Sequence, residues 1–163
     1  MEVRNVKLLI RQRAFTLTDS FYVYAEDGQI RFEVKGAFFS LGHRFTVWDC
    51  RAGREVGQIR EKFLTLMPEF EVCLEGRPLG TIRKKFTFFR PEYHVQMGDW
   101  KVEGDVFGWD YRVTRGQRTV MTISKQLLRW TDTYVLDYSD PNDELPGLMI
   151  VLAIDAANCT KKD

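Results

Sequence analysis

Cysteine and histidine are scarce in this chain, and neither is arranged as in metal or catalytic sites. Cys50, Cys73 and Cys159 are far apart and form no Cys-x-x-Cys pair, and His43 and His94 are the only histidines. An odd number of widely spaced cysteines predicts free thiols in a reducing compartment, without a disulfide framework or a zinc site. We therefore predict a cytoplasmic protein without a metal ion or a cofactor, whose two histidines are structural or exposed.

A large charge excess and a long apolar segment are also absent. Lysine and arginine number 24 against 23 aspartates and glutamates, which argues against the phosphate attraction of nucleic-acid binders. Charged residues interrupt the N-terminus too often for the apolar core of a secretory signal. The longest apolar run, from Leu145 to Ile154, has ten residues, about half the ~20 that cross a bilayer. The sequence predicts no transmembrane span.

Residues that favour β-strands are abundant in this chain. Twelve Phe, six Tyr and four Trp occur among its 163 residues, and aromatic residues favour strands. A chain of this length suits one domain, which we predict over residues 1–163. Five turn glycines follow one another at intervals of 25, 23, 22 and 18 residues: Gly28, Gly53, Gly76, Gly98 and Gly116. This spacing is typical of repeated antiparallel hairpins in a barrel or a sandwich, with eleven or twelve strands.

Two of the predicted strands are near copies of each other. Residues 57–63 and 80–86 are identical at five of seven positions. Side chains alternate between the two faces of a strand, so the repeat predicts four core residues, Ile59, Phe63, Ile82 and Phe86. The same alternation predicts four solvent-facing residues, Arg60, Lys62, Arg83 and Lys85. Two more alternating sets are Phe70, Val72 and Leu74, and Tyr93, Val95 and Met97.

The apolar run near the end of the chain predicts a helix over residues 145–158, followed by a tail at 159–163. Pro146 suits a first helical turn, and Asp143 and Glu144 place negative charge at the positive end of the helix dipole. A buried strand is the alternative interpretation, because a short apolar run fits both. No face of the run is polar, which predicts a helix surrounded by protein. Four residues should be almost fully buried: Met149, Ile150, Leu152 and Ile154.

The order of short motifs along the chain resembles the LURP-one-related family. The resembling stretches are residues 15–23, Asp27-Gly28, 32–36, 45–49, 59–62, 90–93, 102–105, 133–135 and 151–155. The family has the tubby-like fold, which it shares with phospholipid scramblases. The resemblance therefore implies one closed antiparallel β-barrel of about twelve strands around a central apolar C-terminal helix. It implies no particular biochemical activity.

Acidic residues cluster just before the predicted helix, at Asp137, Asp140, Asp143 and Glu144. The resemblance to scramblases suggests calcium, but the pattern of an EF-hand loop is missing. A solvated loop that favours the helix N-terminus is the simpler interpretation. Asp155, a carboxylate directly after the apolar run, is predicted to be structural and to meet an arginine or backbone N–H groups, because an unpaired buried charge is costly. A ligand-binding role for Asp155 is the alternative.

A basic stretch is the best candidate for a binding surface. Residues 76–91 contain no acid and five basic residues, Arg77, Arg83, Lys84, Lys85 and Arg90. Such residues interleaved with phenylalanines suit an anionic lipid headgroup or another phosphorylated ligand. The alternative is that they are strand-edge charges that prevent aggregation.

No convergent set of catalytic groups can be assembled from the sequence, and we predict that the protein is not an enzyme. Two functions remain open. The first is a structural or protein-interaction module with an unknown protein partner. The second is a module that binds anionic lipid headgroups through the basic stretch, and so associates with the periphery of a membrane.

Overall fold

The computed structural model describes residues 5–11, 20–39, 42–89, 91–128 and 131–159. Within these ranges, twelve strands precede one α-helix. The strands are β1 (Val6–Arg11), β2 (Phe21–Ala25), β3 (Ile30–Phe39), β4 (Gly42–Asp49), β5 (Arg54–Glu61), β6 (Glu69–Leu74), β7 (Arg77–Phe86), β8 (Pro91–Gln96), β9 (Trp100–Asp105), β10 (Asp110–Arg115), β11 (Arg118–Leu128) and β12 (Thr131–Tyr138). A short 3-10 turn at Pro141–Asp143 leads into the helix α1 (Glu144–Cys159).

The strands form one antiparallel sheet that curls into a nearly closed barrel. Its order is β8-β7-β6-β5-β4-β3-β2-β1-β12-β11-β10-β9, so strands adjacent in sequence pair with each other except β8 and β9, and β1 pairs with β12. The predicted barrel of about twelve strands is confirmed. The hydrogen-bonded ladder stops at one place, because β8 and β9 do not pair with each other within the described strands.

Antiparallel pairing sends alternate connections to opposite ends of the barrel. We call the end with the connections 62–68, 87–89 and 106–109 the loop end, and the opposite end, where α1 begins, the entry end. The five predicted turn glycines all lie at the entry end with positive φ angles, one in each tight turn. The interval between successive turn glycines in the sequence therefore corresponds to one tight turn for every two strands.

The helix runs inside the barrel from the entry end toward the loop end. Asp140 caps the preceding 3-10 turn by accepting a hydrogen bond from the Asn142 N–H. Residues 148–157 are all buried, and they include the four that were predicted from the sequence. The predicted helix is thus confirmed, with bounds one residue wider at each end. Among the described residues, no helix has the length and apolar character needed to span a membrane.

The predicted alternation is correct inside the strands and wrong where a strand ends early. Ile59 and Ile82 are fully buried. Phe63 was predicted to be in the core, but it is 59% exposed. The reason is that β5 ends at Glu61, so Phe63 belongs to the connection 62–68 and not to the strand. The side chain of Phe86 lies outside the described part of the structure.

The other two alternating sets agree with the structure. Phe70, Val72 and Met97 are buried, and Leu74, Tyr93 and Val95 are partly buried against the core. The four basic residues predicted to face solvent, Arg60, Lys62, Arg83 and Lys85, are all exposed.

Candidate functional site

The basic stretch does not form one surface, because β7 carries its members to both ends of the barrel. Arg77 begins β7 at the entry end, whereas Lys84 and Lys85 lie near its loop end. Lys85 is exposed, and Lys84 is half-buried with its Nζ atom 5.8 Å from the ring centre of Phe107. Arg90 lies outside the described residues. The structure therefore leaves Arg83, Lys84 and Lys85 together at one end.

Arg83 is held by a carboxylate. Glu69 is buried, with 3% of its surface exposed, and lies directly opposite Arg83 in the pairing of β6 with β7. Both Nε and Nη2 of Arg83 donate to Oε2 of Glu69, with Nε at 2.7 Å, and Nζ of Lys62 donates to Oε1 at 2.9 Å. Burial alone would raise the pKa of Glu69, but the hydrogen bonds from Lys62 and Arg83 outweigh it, and the pKa is lowered.

We expect Arg83→Ala to destabilise the fold by about 1–2 kcal/mol, because the buried Glu69 carboxylate would keep only Lys62 as a partner. Since the folded-state pKa of Glu69 is lowered, the contribution of this pair is present at neutral pH. It should disappear as the pH falls below the ordinary 4.5 of a glutamate. Denaturant unfolding at several pH values measures this contribution to the free energy of unfolding.

The matched control is Lys85→Ala, two positions along the same exposed face, where we expect a change within about 0.5 kcal/mol. Equal stabilities for the two variants at neutral pH would show that the Glu69 pair does not support the fold.

The loop end carries an unusual group of exposed apolar side chains. We call Phe63, Leu64, Leu66, Phe88 and Phe89 the apolar rim; they are between 59% and 102% exposed. Three belong to the connection 62–68 and two to the connection that follows β7. The Lys84 N–H donates to the Pro68 carbonyl over 3.0 Å, which ties the first connection to the end of β7. The two connections are therefore neighbours, and their apolar side chains project from the same end.

The apolar rim was not predicted from the sequence. The one signal of the rim noted in the sequence is the phenylalanine pair at 88 and 89, which lies within the basic stretch. Phe63 was assigned to the core because it copies the position of Phe86 in the repeat. Leu64 has a φ of 59°, a conformation that strands do not contain, and it marks where the chain leaves β5.

A buried polar corner lies near the end of α1. Asp155 is 8% exposed, and among the described residues its Oδ2 atom has no hydrogen-bond partner; the Oδ1 atom of Asn158 is also buried without one there. Burial raises the pKa of Asp155 to about 7. Burial also raises the pKa of Tyr111, with a further contribution from Asp155. The predicted arginine or backbone partner of Asp155 is not found in the part of the chain that the structure describes.

Acidic residues near the start of the helix form ion pairs and hydrogen bonds at the entry end of the barrel. Nη1 of Arg31 contacts Asp49 at 2.6 Å and its Nη2 contacts Glu144 at 2.7 Å, while the Tyr138 hydroxyl donates to Glu144. Arg118 donates to Asp143 through both Nη atoms. These contacts fasten the start of α1 to β3, β4, β11 and β12. Within the described residues, no three His, Cys, Asp or Glu side chains are grouped as metal ligands.

The remaining titratable candidates have structural surroundings. Nδ1 of His43 lies 2.6 Å from Oε2 of Glu61, and the cavity beside the pair is lined by no serine, cysteine or threonine among the described residues. Cys50 and Cys73 are free thiols. Burial, with smaller contributions from nearby carboxylates, raises the pKa of both, which disfavours the reactive thiolate. The side chain of Cys159 is outside the described part.

The sequence profile of the LURP-one-related family matches residues 6–155, nearly the whole barrel and its helix. The chain belongs to this family. It is 31% identical over 150 residues to the uncharacterized protein YxjI of Bacillus subtilis, and the match covers 92% of each chain. The X-ray structure of the Arabidopsis thaliana protein AT5G01750 has a TM-score of 0.62 at 17% identity, over 93% of this chain and 90% of that one. At that identity, the likeness to the Arabidopsis protein shows the fold alone.

Proposed function

We propose that this LURP-one-related protein is a non-enzymatic binding module that docks its loop end on an anionic membrane surface from the cytoplasmic side. The observation that carries the proposal is the apolar rim, whose Phe88, Phe89, Leu64 and Leu66 side chains are almost completely exposed. Exposed apolar patches of this kind are typical of interaction sites. The exposed free thiol of Cys50 supports a reducing compartment.

The shape of the rim favours a membrane over a protein partner. Its side chains project from two neighbouring connections, and four of the five are at least 89% exposed. A fluid bilayer can surround projecting side chains, whereas a protein would need a matching pocket for each. Fully burying one leucine or phenylalanine contributes roughly 1.5–3 kcal/mol, so even partial burial of five such residues is enough for reversible binding.

Basic residues next to the rim give the surface its preference for negative charge. Lys85 lies three residues before Phe88 and has no ion-pair partner among the described residues, so it is available to a headgroup. Arg83 contributes less than the sequence suggested, because Glu69 neutralises part of its charge and of the charge of Lys62. Each available basic residue near an anionic surface contributes about 1 kcal/mol.

The non-enzymatic part of the proposal is supported by the chemistry of the candidate groups. His43 is paired with Glu61, the pKa values of Cys50 and Cys73 are raised, and Asp155 is buried beside Tyr111. None of these places an activated nucleophile next to a base, which nucleophilic catalysis requires.

The test is co-sedimentation with vesicles of phosphatidylglycerol and phosphatidylcholine. We expect the Phe88→Ser/Phe89→Ser variant to bind about a hundredfold more weakly than wild type at any salt concentration. Lys85→Ala should weaken binding about fivefold at low salt and less as salt rises, because the Debye length shortens. Both positions are exposed, so neither variant should change the stability.

Two control variants match these changes at the entry end: Ile30→Ser for the apolar residues and Arg77→Ala for the lysine. Both should bind as wild type does. If wild type does not sediment with acidic vesicles at low salt, the membrane proposal is wrong, and the protein-interaction module takes its place. Equal sedimentation with pure phosphatidylcholine vesicles would contradict the anionic preference.

A further inference from the structure

The break in the ladder between β8 and β9 is the second unusual feature of this barrel. The two strands are consecutive, and the Trp100 N–H donates to the Met97 carbonyl at 3.2 Å in the turn that joins them. Beyond that turn, β8 pairs only with β7 and β9 only with β10 within the described strands. Two sheet edges thus face each other across a seam, which is an arrangement that proteins usually avoid or cover.

A cavity of about 280 Å³ occupies the half of this seam nearest the loop end. It is lined from β8 by Glu92, Tyr93 and His94, and from β9 and the connection after it by Val102, Gly104 and residues 105–107. The ring centres of Tyr93 and Phe107 lie 6.4 Å apart. The cavity therefore lies where backbone hydrogen bonds between β8 and β9 would otherwise form.

Gly104 keeps β9 close to β10 beside the cavity. Its φ is +116°, and a Cβ atom there would lie 2.8 Å from both the Asp110 carbonyl oxygen and the Cα atom of Tyr111 on β10. Only glycine fits this position without moving β9 away from β10. β9 therefore lies close to β10 at the height of the cavity.

We propose that the seam binds a short extended peptide segment with a lysine or arginine side chain, which adds as a strand to the edge of β8 or β9. A strand edge offers backbone donors and acceptors at a repeat of about 3.3 Å, and only an extended chain supplies partners at that repeat. The lined stretches 92–94 and 102–105 give room for three or four peptide residues.

The carboxylates of the seam determine which kind of peptide side chain it would bind. Glu92 and Asp105 stand on opposite sides of the cavity, and neither forms an ion pair among the described residues. Glu92 lies opposite Lys85 in the pairing of β7 with β8, and Oδ1 of Asp105 accepts a hydrogen bond from the Gly108 N–H at 2.9 Å. Ionised carboxylates only accept hydrogen bonds, so a cationic side chain is the complementary one. The Phe107 ring already has Lys84 Nζ 5.8 Å from its centre, and the neighbouring Tyr93 ring suits the apolar stem of a lysine or the flat guanidinium of an arginine.

The experiment is a selection of random heptapeptides, displayed on phage, against the immobilised full chain, followed by hydrogen exchange of the complex. We expect the selected peptides to contain lysine or arginine and to slow exchange of backbone amides in 92–94 and 102–105. N-methylation of alternate peptide nitrogens should weaken binding at least tenfold, because it removes the donors that pair with a strand edge. Glu92→Lys should also weaken binding about tenfold, and Glu26→Lys, in an exposed turn at the entry end, should not.

Three results would overturn the proposal. The first is a selection that yields no peptide protecting these amides. The second is a selected peptide that binds equally well after N-methylation, since strand addition cannot tolerate it. The third is that Glu92→Lys and Glu26→Lys have the same effect. Because no membrane is present in this experiment, its outcome is independent of the vesicle test of the apolar rim.

Discussion

Leu152→Asp is expected to abolish folding. Leu152 lies on α1 inside the barrel, is 5% exposed and belongs to the main hydrophobic core. An aspartate there would bury a charge without a partner, at a cost of several kcal/mol against a total stability of about 5–15 kcal/mol. Soluble expression, circular dichroism and denaturant unfolding would reveal the loss.

Leu66→Asp is the matched control, because it makes the same substitution at a residue that is 93% exposed in the apolar rim. It should be expressed and should unfold cooperatively, with a midpoint close to that of wild type. A soluble and cooperatively unfolding Leu152→Asp protein would mean that α1 is peripheral.

Asp155→Asn is expected to stabilise the protein above neutral pH. Burial favours the neutral carboxylic acid and raises the pKa of Asp155 to about 7, compared with an ordinary 3.8. The difference, 7 minus 3.8, corresponds to about 4 kcal/mol. Because the pKa is raised in the folded state, the free energy of unfolding of wild type falls by this amount as the pH rises from about 4 to about 7. An asparagine does not titrate and avoids the loss.

Thermal unfolding from pH 4 to pH 9 checks this expectation. The melting temperatures of wild type and Asp155→Asn should be similar near pH 4 and should differ by about 10 °C at pH 8. Asp110→Asn, at an exposed position on β10, is the control and should follow wild type at every pH. A constant difference across the whole range would show that Asp155 does not titrate in the folded protein near neutral pH.

The fold could be predicted because its main signals are local. Ten consecutive apolar residues from Leu145 to Ile154 predict a largely buried segment, and their length favours a helix. The turn glycines mark one end of the barrel because each tight turn there needs a residue with positive φ. The near-identity of 57–63 and 80–86 correctly identified Ile59 and Ile82 as equivalent core positions.

The candidate site could not be predicted because it depends on strand register and on where strands stop. Alternation placed Arg83 on the outer face, but only the pairing of β6 with β7 puts it opposite the buried Glu69. Phe63 occupies the same place in the repeat as Phe86, yet β5 ends two residues before it. Burial of Asp155 followed from its place on the helix, but whether its Oδ2 atom finds a partner depends on which side chains line the barrel there, and none of the described ones supplies it.

The most direct test of the membrane proposal is hydrogen exchange of wild-type protein with and without phosphatidylglycerol vesicles. We predict that the vesicles slow exchange of backbone amides in the connections 62–68 and 87–89, which carry the apolar rim. Exchange in the entry-end turns 50–53 and 75–76 should not change. Unchanged exchange in both loop-end connections, or protection of the entry-end turns instead, would contradict docking through the loop end.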